Sequence, residues 1–314
     1  MTTYVLRRLA FLGLTLVVTS LVIFIITQLL PGDVARVVLG REAGEEALAV
    51  FRETHGLNEP LPVQYGRWLA NFATGEWGTS LSTRSEIYPL VMERLKNSLL
   101  LASVTMLIAV PSAIILGVLA GLHEDKPADS MISIASLAVV GLPEFVTGLI
   151  LIQIFSRWLG WLPANSSIEP AATFAEKLPM LVLPAMTATL VLLAYIIRLT
   201  RAGVIEELSQ PYVRTATLKG LPRQTIIIKH VMRNALLPTI TIVAISFGWL
   251  IGGLIVIENV FNYPGLGRLL TFAIDRRDLP LIQAIAMITV VGFGLANLVA
   301  DLIYAWLNPR IRLS

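Results

Sequence analysis

The segment YVRTATLKGLPRQTIIIKHVMRNALLP, residues 212–238, is the charged exception in an apolar chain. It carries five Lys or Arg residues and no acidic residue, and it leads from an uncharged run at 178–197 into another at 234–257. A helix of about 20 mostly apolar residues crosses a hydrocarbon core about 30 Å thick, so each run is long enough to be a span. The segment therefore predicts a basic loop between two membrane helices.

Two prolines and a glycine predict the shape of this loop. Pro211 suits the first turn of a helix, where the N–H groups have no partner within the helix. Gly220 can take the left-handed conformation that ends a helix. Pro222 can start a second helix that continues to Pro238, so the prediction is a helix, a glycine turn and a second helix on one face of the membrane.

The composition also indicates a membrane protein. Hydrophobic residues make up 55% of the 314 residues, charged residues 14%, and the mean hydropathy is +0.75, all outside the range of ordinary soluble domains. The chain has no cysteine, which excludes a disulfide framework, a thiolate metal site, an iron–sulfur cluster and a cysteine nucleophile. Its three histidines, His55, His123 and His230, are far apart in sequence, so no histidine metal site is expected.

Six apolar runs predict an all-α membrane protein with six transmembrane helices. The first is too long for a signal-peptide core and lacks its cleavage site, so it is interpreted as a span. The third contains one acid, Glu144. The six runs are 9–30, 97–122, 131–156, 178–197, 234–257 and 279–300.

The positions of the basic residues predict that both termini are cytoplasmic. Lys and Arg in short loops favour the cytoplasmic side. With the N-terminus inside, twelve face the cytoplasm and five lie in short outer loops. The cytoplasmic set consists of Arg7, Arg8, Lys126, seven residues from Arg198 to Arg233, Arg310 and Arg312.

This topology divides the chain into three parts. Residues 1–30 are the N-terminal tail and first span, and residues 97–314 are a five-helix core with a cytoplasmic loop at 206–238. Residues 31–96 are too long for a simple connection, and the helical patch EEALAVFRETHGL predicts a small helical extracytoplasmic subdomain between helices 1 and 2.

The residues alone leave two interpretations of the basic loop. It is either an amphipathic helix held at the surface by anionic lipid, at about 1 kcal/mol per basic residue, or a docking element for a soluble partner. The glycine turn favours docking slightly, because a helix that only lies on a membrane needs no sharp reversal.

The sequence EELSQPYVRTATLKGLPRQTIIIKHVMRNALLP resembles the EAA loop of ABC importer permeases of the peptide and nickel branch. The likeness extends to LPGD, GLNEPLPVQYGRWLANFATGEWGTS, GLPEF, IENVFNYPGLGRLL and NLVADLIYAWLNPRIR, which are similar to the first, B-type, permease of dipeptide and oligopeptide importers. Two features depart from the general pattern. Gly220 and Pro238 are farther apart than in sugar permeases, and Arg214 or Thr215 stands where the signature has its glutamate.

The resemblance implies half of a translocation pathway, in a bacterial inner membrane, for peptides delivered by an extracytoplasmic solute-binding protein. The implied partners are a homologous second permease, two ATPase subunits and membrane lipid, with no nucleic acid. The chain has no G-x-x-x-x-G-K-[ST] loop, so it is not expected to be an enzyme. It is expected to bind no cofactor, with ATP and Mg on the partner subunits.

The resemblance also implies that the helix opening the loop is the coupling helix, which sits in a cleft of an ATPase. The coupling residues expected from it are Tyr212, Val213, Thr215, Ala216, Lys219 and Gly220. Ordinary helix packing is an equal alternative for Tyr212 and Ala216, and a weaker one for Gly220.

Other candidate residues are less specific. Glu144, Gly252 and Gly253 are candidates for the translocation pathway, because an intramembrane acid is costly on lipid and small residues permit close helix approach. Glu258 and Asp301 end their spans and are expected at the interface. The candidates for extracytoplasmic docking are Asp33, Tyr65, Trp68, Tyr263 and Pro264.

Three other classes and several substrates stay open. A secondary transporter usually needs several intramembrane acids, an intramembrane enzyme needs a base or paired carboxylates, and a scaffold would use the basic loop only for attachment. Within the importer interpretation peptides are favoured, with nickel complexes, glutathione or oligosaccharides as alternatives.

Overall fold

The computed structural model describes residues 2–29, 34–40, 43–54, 56, 58–167 and 173–307. These residues are mostly helical, and the only strand-like pairing in the described ranges is an antiparallel bridge between Thr79 and Glu86. The predicted all-α membrane fold is confirmed. Asp33, Arg310 and Arg312 lie outside the described residues.

Four helices are long and apolar enough to cross a membrane by themselves. Two bent pairs of helices are long and apolar enough only when each pair is taken together. The described residues therefore hold four spans, or up to six if each pair crosses as one. The single helices are α1 Thr2–Leu29, α5 Ile87–Leu122, α8 Phe174–Leu208 and α15 Leu279–Leu307. The pairs are α6 Pro127–Val140 with α7 Glu144–Leu151 and its π-helical extension Ile152–Trp158, bent by 105°, and Arg223–Ala235 with α12 Leu237–Gly253, bent by 48°.

The break between α6 and α7 is a difference from the single transmembrane helix expected at 131–156. Pro143 has no N–H to donate, and it disfavours helical geometry at the residue before it. The helix therefore stops at Val140 and restarts at Glu144, with Pro143 in an extended conformation as the cap. Glu144 opens a helix instead of lying in the middle of one.

The short helices gather at opposite ends of the bundle. The group near the first turn of α5, here called the α14 end, contains α4 Leu61–Thr74, α13 Ile255–Val260 and α14 Leu266–Asp275. The short helices α2 Val34–Leu39 and α3 Glu45–Thr54 lie between α1 and α4 in the chain. The group near the last turn of α5, the α9 end, contains α9 Pro211–Leu218, α10 Arg223–Thr225, the π-helical turn Ile226–Val231 and α11 Met232–Ala235.

The predicted boundary between residues 96 and 97 falls inside α5, which begins ten residues earlier, at Ile87. Charged residues at 93, 94 and 96 interrupt the apolar run, but they do not interrupt the helix. The division into three parts stays a prediction.

The pair α5 and α8 forms the centre of the bundle. A Cβ on Gly117 would lie 2.6 Å from the Thr200 side chain, and one on Gly121 would lie 2.7 Å from Val204. Only glycine permits these approaches, and the two helices enclose the largest apolar cluster, which includes Leu101, Leu183 and Ile196, all fully buried.

The first helix packs on the last. Arg8 forms an ion pair of 2.9 Å with Asp301, and Gln283 donates a hydrogen bond of 2.6 Å to Thr27 near the other end of α1. Between them, the Leu12 side chain approaches Gly294. Most of α1 otherwise exposes apolar side chains, as a helix facing lipid does.

A buried carboxylate, Glu258, joins three elements at the α14 end. It accepts hydrogen bonds from the Ser98 hydroxyl at 2.6 Å and from the backbone N–H groups of Gly267 at 2.7 Å and Arg268 at 3.1 Å. Glu258 is fully buried among these elements, a set of contacts that its position at the end of a span did not predict. It receives free N–H groups in the first turn of α14, where negative charge is favourable.

A second carboxylate, Asp278, connects the loop before α5 to the first turn of α15. It accepts hydrogen bonds from the Ser80 and Ser82 hydroxyls, both at 2.6 Å, and from the Ser82 N–H at 3.0 Å. Burial raises the pKa of Asp278, but these hydrogen bonds outweigh burial and hold the pKa below its usual value. The carboxylate therefore stays ionised as the anchor of this loop.

We expect Glu258→Ala to destabilise the chain by about 3 kcal/mol, because Ser98 and two buried N–H groups would lose their acceptor. The thermal unfolding midpoint of the purified protein in detergent measures this. The isosteric Glu258→Gln should cost less, and Glu93→Ala, on an exposed part of α5, should cost almost nothing. Equal midpoints for Glu258→Ala and Glu93→Ala would contradict the anchoring role.

Candidate functional site

The α9 helix ends in a motif that only a left-handed residue completes. The N–H of Gly220 donates to the Thr217 carbonyl at 2.9 Å, and the N–H of Leu221 donates to the Ala216 carbonyl at 3.3 Å. This pair of bonds is the Schellman motif, and Gly220 has the positive φ, +75°, that it requires. The helix and glycine turn predicted from Pro211 and Gly220 are both present.

One side of α9 packs on the bundle. Val213 and Ala216 contact a buried cluster made of Val204 on α8 and Ile226, Val231 and Ala235 in the segment that follows the turn. Two of the predicted coupling residues therefore hold α9 in place through its buried face.

Tyr212 fixes the first turn of α9. Its hydroxyl donates a hydrogen bond of 2.6 Å to the Glu207 carboxylate at the end of α8, and it is also hydrogen-bonded to Asn234 on α11. Burial, followed by the Glu207 hydrogen bond, raises the pKa of the Tyr212 phenol. The phenol therefore stays protonated and bridges α8, α9 and α11.

The opposite side of α9 and its turn form an exposed surface, which we call the α9 surface. Thr215, Lys219 and Gly220 lie on it, and a Cβ added to Gly220 would meet no atom of the chain within 4 Å. The surface carries an excess of positive charge. Its basic residues are Arg214, Lys219 and Arg223, and Lys229 and Arg233 are exposed on the segment that follows.

Sequence reasoning missed the apolar part of this surface. Leu218 is 81% exposed at the end of α9, and Ile228 is 69% exposed in the π-helical turn that follows. The available signal was the helical period, since Val213 and Ala216 are on the buried face and Leu218 is not. Large apolar side chains on a charged surface indicate an interaction site.

At the α9 end, the backbone of α8 is in close contact with the backbone of α11. A Cβ on Gly203 would lie 2.5 Å from the carbonyl oxygen of Ala235, and the Thr200 and Thr239 hydroxyls are hydrogen-bonded at 3.0 Å. The segment from α9 to α12 therefore cannot shift without moving α8.

An ion pair extends this connection to α6. The guanidinium of Arg201 donates from Nε and Nη2 to both carboxylate oxygens of Asp129, at 2.5 and 2.6 Å. Asp129 is buried and also accepts from the N–H of Asp125 and the hydroxyl of Ser133. Such bidentate pairs are the most specific charged contacts in proteins, and this one joins residues 72 positions apart, which no sequence spacing indicated.

An apolar groove of about 580 Å³ runs along α5, α12 and α15. Leu99, Phe247 and Ile288 are among its lining residues, and Glu144, Gly252 and Gly253 are not. Gly252 is in ordinary contact with Thr289, and Gly253 lies against Trp249 of its own helix. The pathway role of these three residues stays a prediction.

The predicted docking residues have contacts within the chain. Tyr65 and Trp68 pack around Phe24 of α1 with ring centroids 5.5 and 6.0 Å away, and the Tyr65 hydroxyl is hydrogen-bonded to Ser20. Tyr263 is fully buried, and its hydroxyl donates to the Asn97 carbonyl at 2.7 Å. Pro264 is also buried, and its carbonyl accepts from Asn97. These contacts hold α4 and α14 in place, and the docking role of the four residues stays a prediction.

The part of the chain that the structure describes contains no group of three or more His, Cys, Asp or Glu side chains that could hold a metal ion.

Two family models match nearly the whole chain. Residues 1–102 match the N-terminal model of the binding-protein-dependent transport system membrane component, and residues 113–313 match the model of the binding-protein-dependent transport system inner membrane component.

Full-length relatives and one solved fold agree with these matches. The glutathione transport system permease protein GsiC of Salmonella paratyphi A is 37% identical over 312 residues, covering 99% of both chains. GsiC of Escherichia coli K12 is 36% identical with the same coverage. The crystal structure of an amino acid ABC transporter with histidines has a TM-score of 0.54 at 17% identity, covering 69% of this chain and 93% of that one, so it shares the fold.

We expect Asp129→Ala to destabilise the chain by about 2 kcal/mol, because the partly buried Arg201 would lose its charged hydrogen bonds. The thermal unfolding midpoint in detergent measures this. Glu53→Ala, which removes an exposed acid on α3, is the matched control and should leave the midpoint unchanged. If both variants melt together, the pair does not hold α6 to α8.

Proposed function

Because the chain belongs to the family of inner membrane components of binding-protein-dependent transport systems, we propose that the α9 surface is where ATPase subunits drive it. The chain is a permease subunit of an ABC importer, as the resemblance of its basic loop implied. Membership of this family decides against an ion-gradient-driven secondary transporter.

One observation carries the proposal. The α9 surface combines exposed basic residues with Leu218, 81% exposed, on a helix whose other face packs on the segment that follows it. In that segment, the backbone of Ala235 is in close contact with Gly203 of α8. A surface helix that only meets lipid needs no glycine turn and no backbone-to-backbone contact with a spanning helix. A helix that must transmit a displacement needs both, because a loosely held element would absorb the motion.

Transport follows from the two sides of α9. When two ATPases close on ATP, the α9 surface moves with them as a rigid body, and Tyr212 and Ala216 pass the motion to α8. The bundle then rocks from inward-open to outward-open around the apolar groove. Each nucleotide state of the ATPase must bind the α9 surface with different affinity, since a partner indifferent to the two states shifts no equilibrium.

This proposal sets the orientation and the partners. The α9 end is cytoplasmic, the α14 end is extracytoplasmic, and both termini lie inside a bacterial inner membrane. The partners are a homologous second permease, two ATPase subunits that bind ATP and Mg, and a solute-binding protein that delivers substrate to the α14 end. This chain contributes no ATPase site of its own.

The proposed substrates are short peptides. The relatives named above are glutathione transport permeases, and glutathione is a small peptide with two carboxylates, so it is the first substrate to test. The groove offers apolar walls, which suit peptide side chains.

The test is Gly220→Asn. Asn adopts positive φ more readily than other side chains, so this variant keeps the turn but adds bulk to the α9 surface. We expect normal amounts of the chain in the membrane, with ATPase co-purification and ATP-driven uptake reduced at least about tenfold, the size of a lost interface anchor. Mass spectrometry of the purified complex and uptake into proteoliposomes measure the two effects.

Gly160→Asn is the matched control. Gly160 has φ +64°, is exposed, and has no atom of the chain within 4 Å of an added Cβ. It lies beyond α7, away from α9, so its variant should assemble and transport like the wild type. Wild-type ATPase recovery and uptake in Gly220→Asn would refute docking at the α9 surface and leave a lipid-bound helix.

A further inference from the structure

A second cavity, of about 260 Å³, lies at the α14 end between the first turns of α5 and α14. Two arginines, one threonine and three apolar side chains face it, with a glycine at its back. The lining residues are Thr83, Leu90, Arg94, Gly265, Arg268, Leu269 and Phe272.

The positive charge of the two arginines is not balanced by any acidic side chain among the lining residues. Arg94 is half-buried, its Nε is fully buried without a hydrogen-bond partner, and no ion pair joins it to another described residue. Arg268 donates from Nη1 to the Asn262 carbonyl, which leaves its other N–H groups available. Two guanidinium groups line the cavity with no carboxylate among its lining residues, and positive charge in a partly buried place is costly without a partner, so the cavity favours an occupant with acceptor oxygens.

The acid next to the cavity, Glu258, lies behind Gly265 and already accepts hydrogen bonds from other residues. Glu258 lies against Gly265, where an added Cβ would come within 2.2 Å of its carboxyl carbon. Its oxygens accept from Ser98, Gly267 and Arg268. One carboxylate behind two arginines leaves the cavity positive, and Glu258 offsets Arg94 only through space.

The shape of the cavity selects the class of anion. A guanidinium fork matches a carboxylate with two parallel hydrogen bonds, and Leu90, Leu269 and Phe272 form apolar walls beside the fork. The volume is below the range of about 300 to 1,000 Å³ typical of whole small-molecule sites. It therefore suits a carboxylate with a short stem, such as the C-terminal residue of a peptide, better than an entire tripeptide.

The cavity is next to the apolar groove. Arg94 faces the cavity, whereas Leu95 and Leu99, which follow it on α5, face the groove. We propose that this cavity is a carboxylate subsite for the transported peptide, which holds its C-terminal end where α5 leads into the groove. The inference rests on the proposed direction of transport, with the α14 end outside, and it takes the substrate as the source of the carboxylate because the groove begins beside it.

The test uses the assembled importer in nanodiscs, without its binding protein. Saturation-transfer NMR compares N-acetylglycine, which has the carboxylate, with N-acetylglycinamide, its neutral counterpart. We expect transfer to the acid but little to the amide. Arg94→Gln should weaken transfer to the acid about tenfold, as loss of a charged hydrogen-bonding partner does, and Arg94→Lys should weaken it less.

Arg277→Gln is the control, because Arg277 is exposed near α14 and does not line the cavity. It should bind like the wild type. If Arg94→Gln does not assemble, Arg268→Gln tests the same cavity from its other side and should also lose transfer. Equal transfer from acid and amide, or transfer to the acid that survives both variants, would overturn the subsite.

A second measurement separates an acid on the binding protein from the substrate. Uptake is titrated with substrate-loaded binding protein, and the concentration for half-maximal uptake should be the same in Arg94→Gln and wild type. If Arg94→Gln needs much more binding protein for half-maximal uptake, and the wild-type complex does not bind the acid probe, the arginines dock the binding protein. That result would contradict the subsite. If a complex that transports normally binds neither probe, the subsite alone fails and the proposed function stands.

Discussion

Close backbone approach along α8 is the constraint on which the α9 end depends. Gly117 and Gly121 admit Thr200 and Val204 of α8, and Gly203 admits the Ala235 carbonyl. In a bilayer, helices gain little by merely being apolar, so packing at small residues decides which ones associate. These three contacts bind α5, α8 and the segment after α9 into one unit.

The two ends of this unit have different chemistry. At the α9 end, Arg201 and Asp129 add a charged clamp to the glycine contacts, and the exposed surface is basic and apolar. At the α14 end, Glu258 gathers the first turn of α14 onto α5. A displacement applied at α9 therefore reaches the walls of the apolar groove through α8 and α5, because these helices are in close contact.

The sequence was sufficient for local features and insufficient for long-range ones. Pro211 and Gly220 act on their own backbone, so the bounds of α9 and its turn could be predicted. The anchoring role of Glu258 could not be predicted, because its partners Ser98 and Gly267 belong to other helices. Pro143 was a signal for the bend in the sequence. The run was nevertheless predicted as one span, because spans are assigned from hydropathy and not from backbone hydrogen bonds.

The most direct measurement of the central claim is cross-linking from Leu218, the most exposed apolar residue of the α9 surface. The chain has no cysteine, so Leu218→Cys carries a photo-activatable reagent at one known position of this subunit in the assembled importer. The account predicts a cross-link to an ATPase subunit whose yield changes between the nucleotide-free and ATP-bound states. Cross-links to lipid alone, with the same yield in both states, would contradict it.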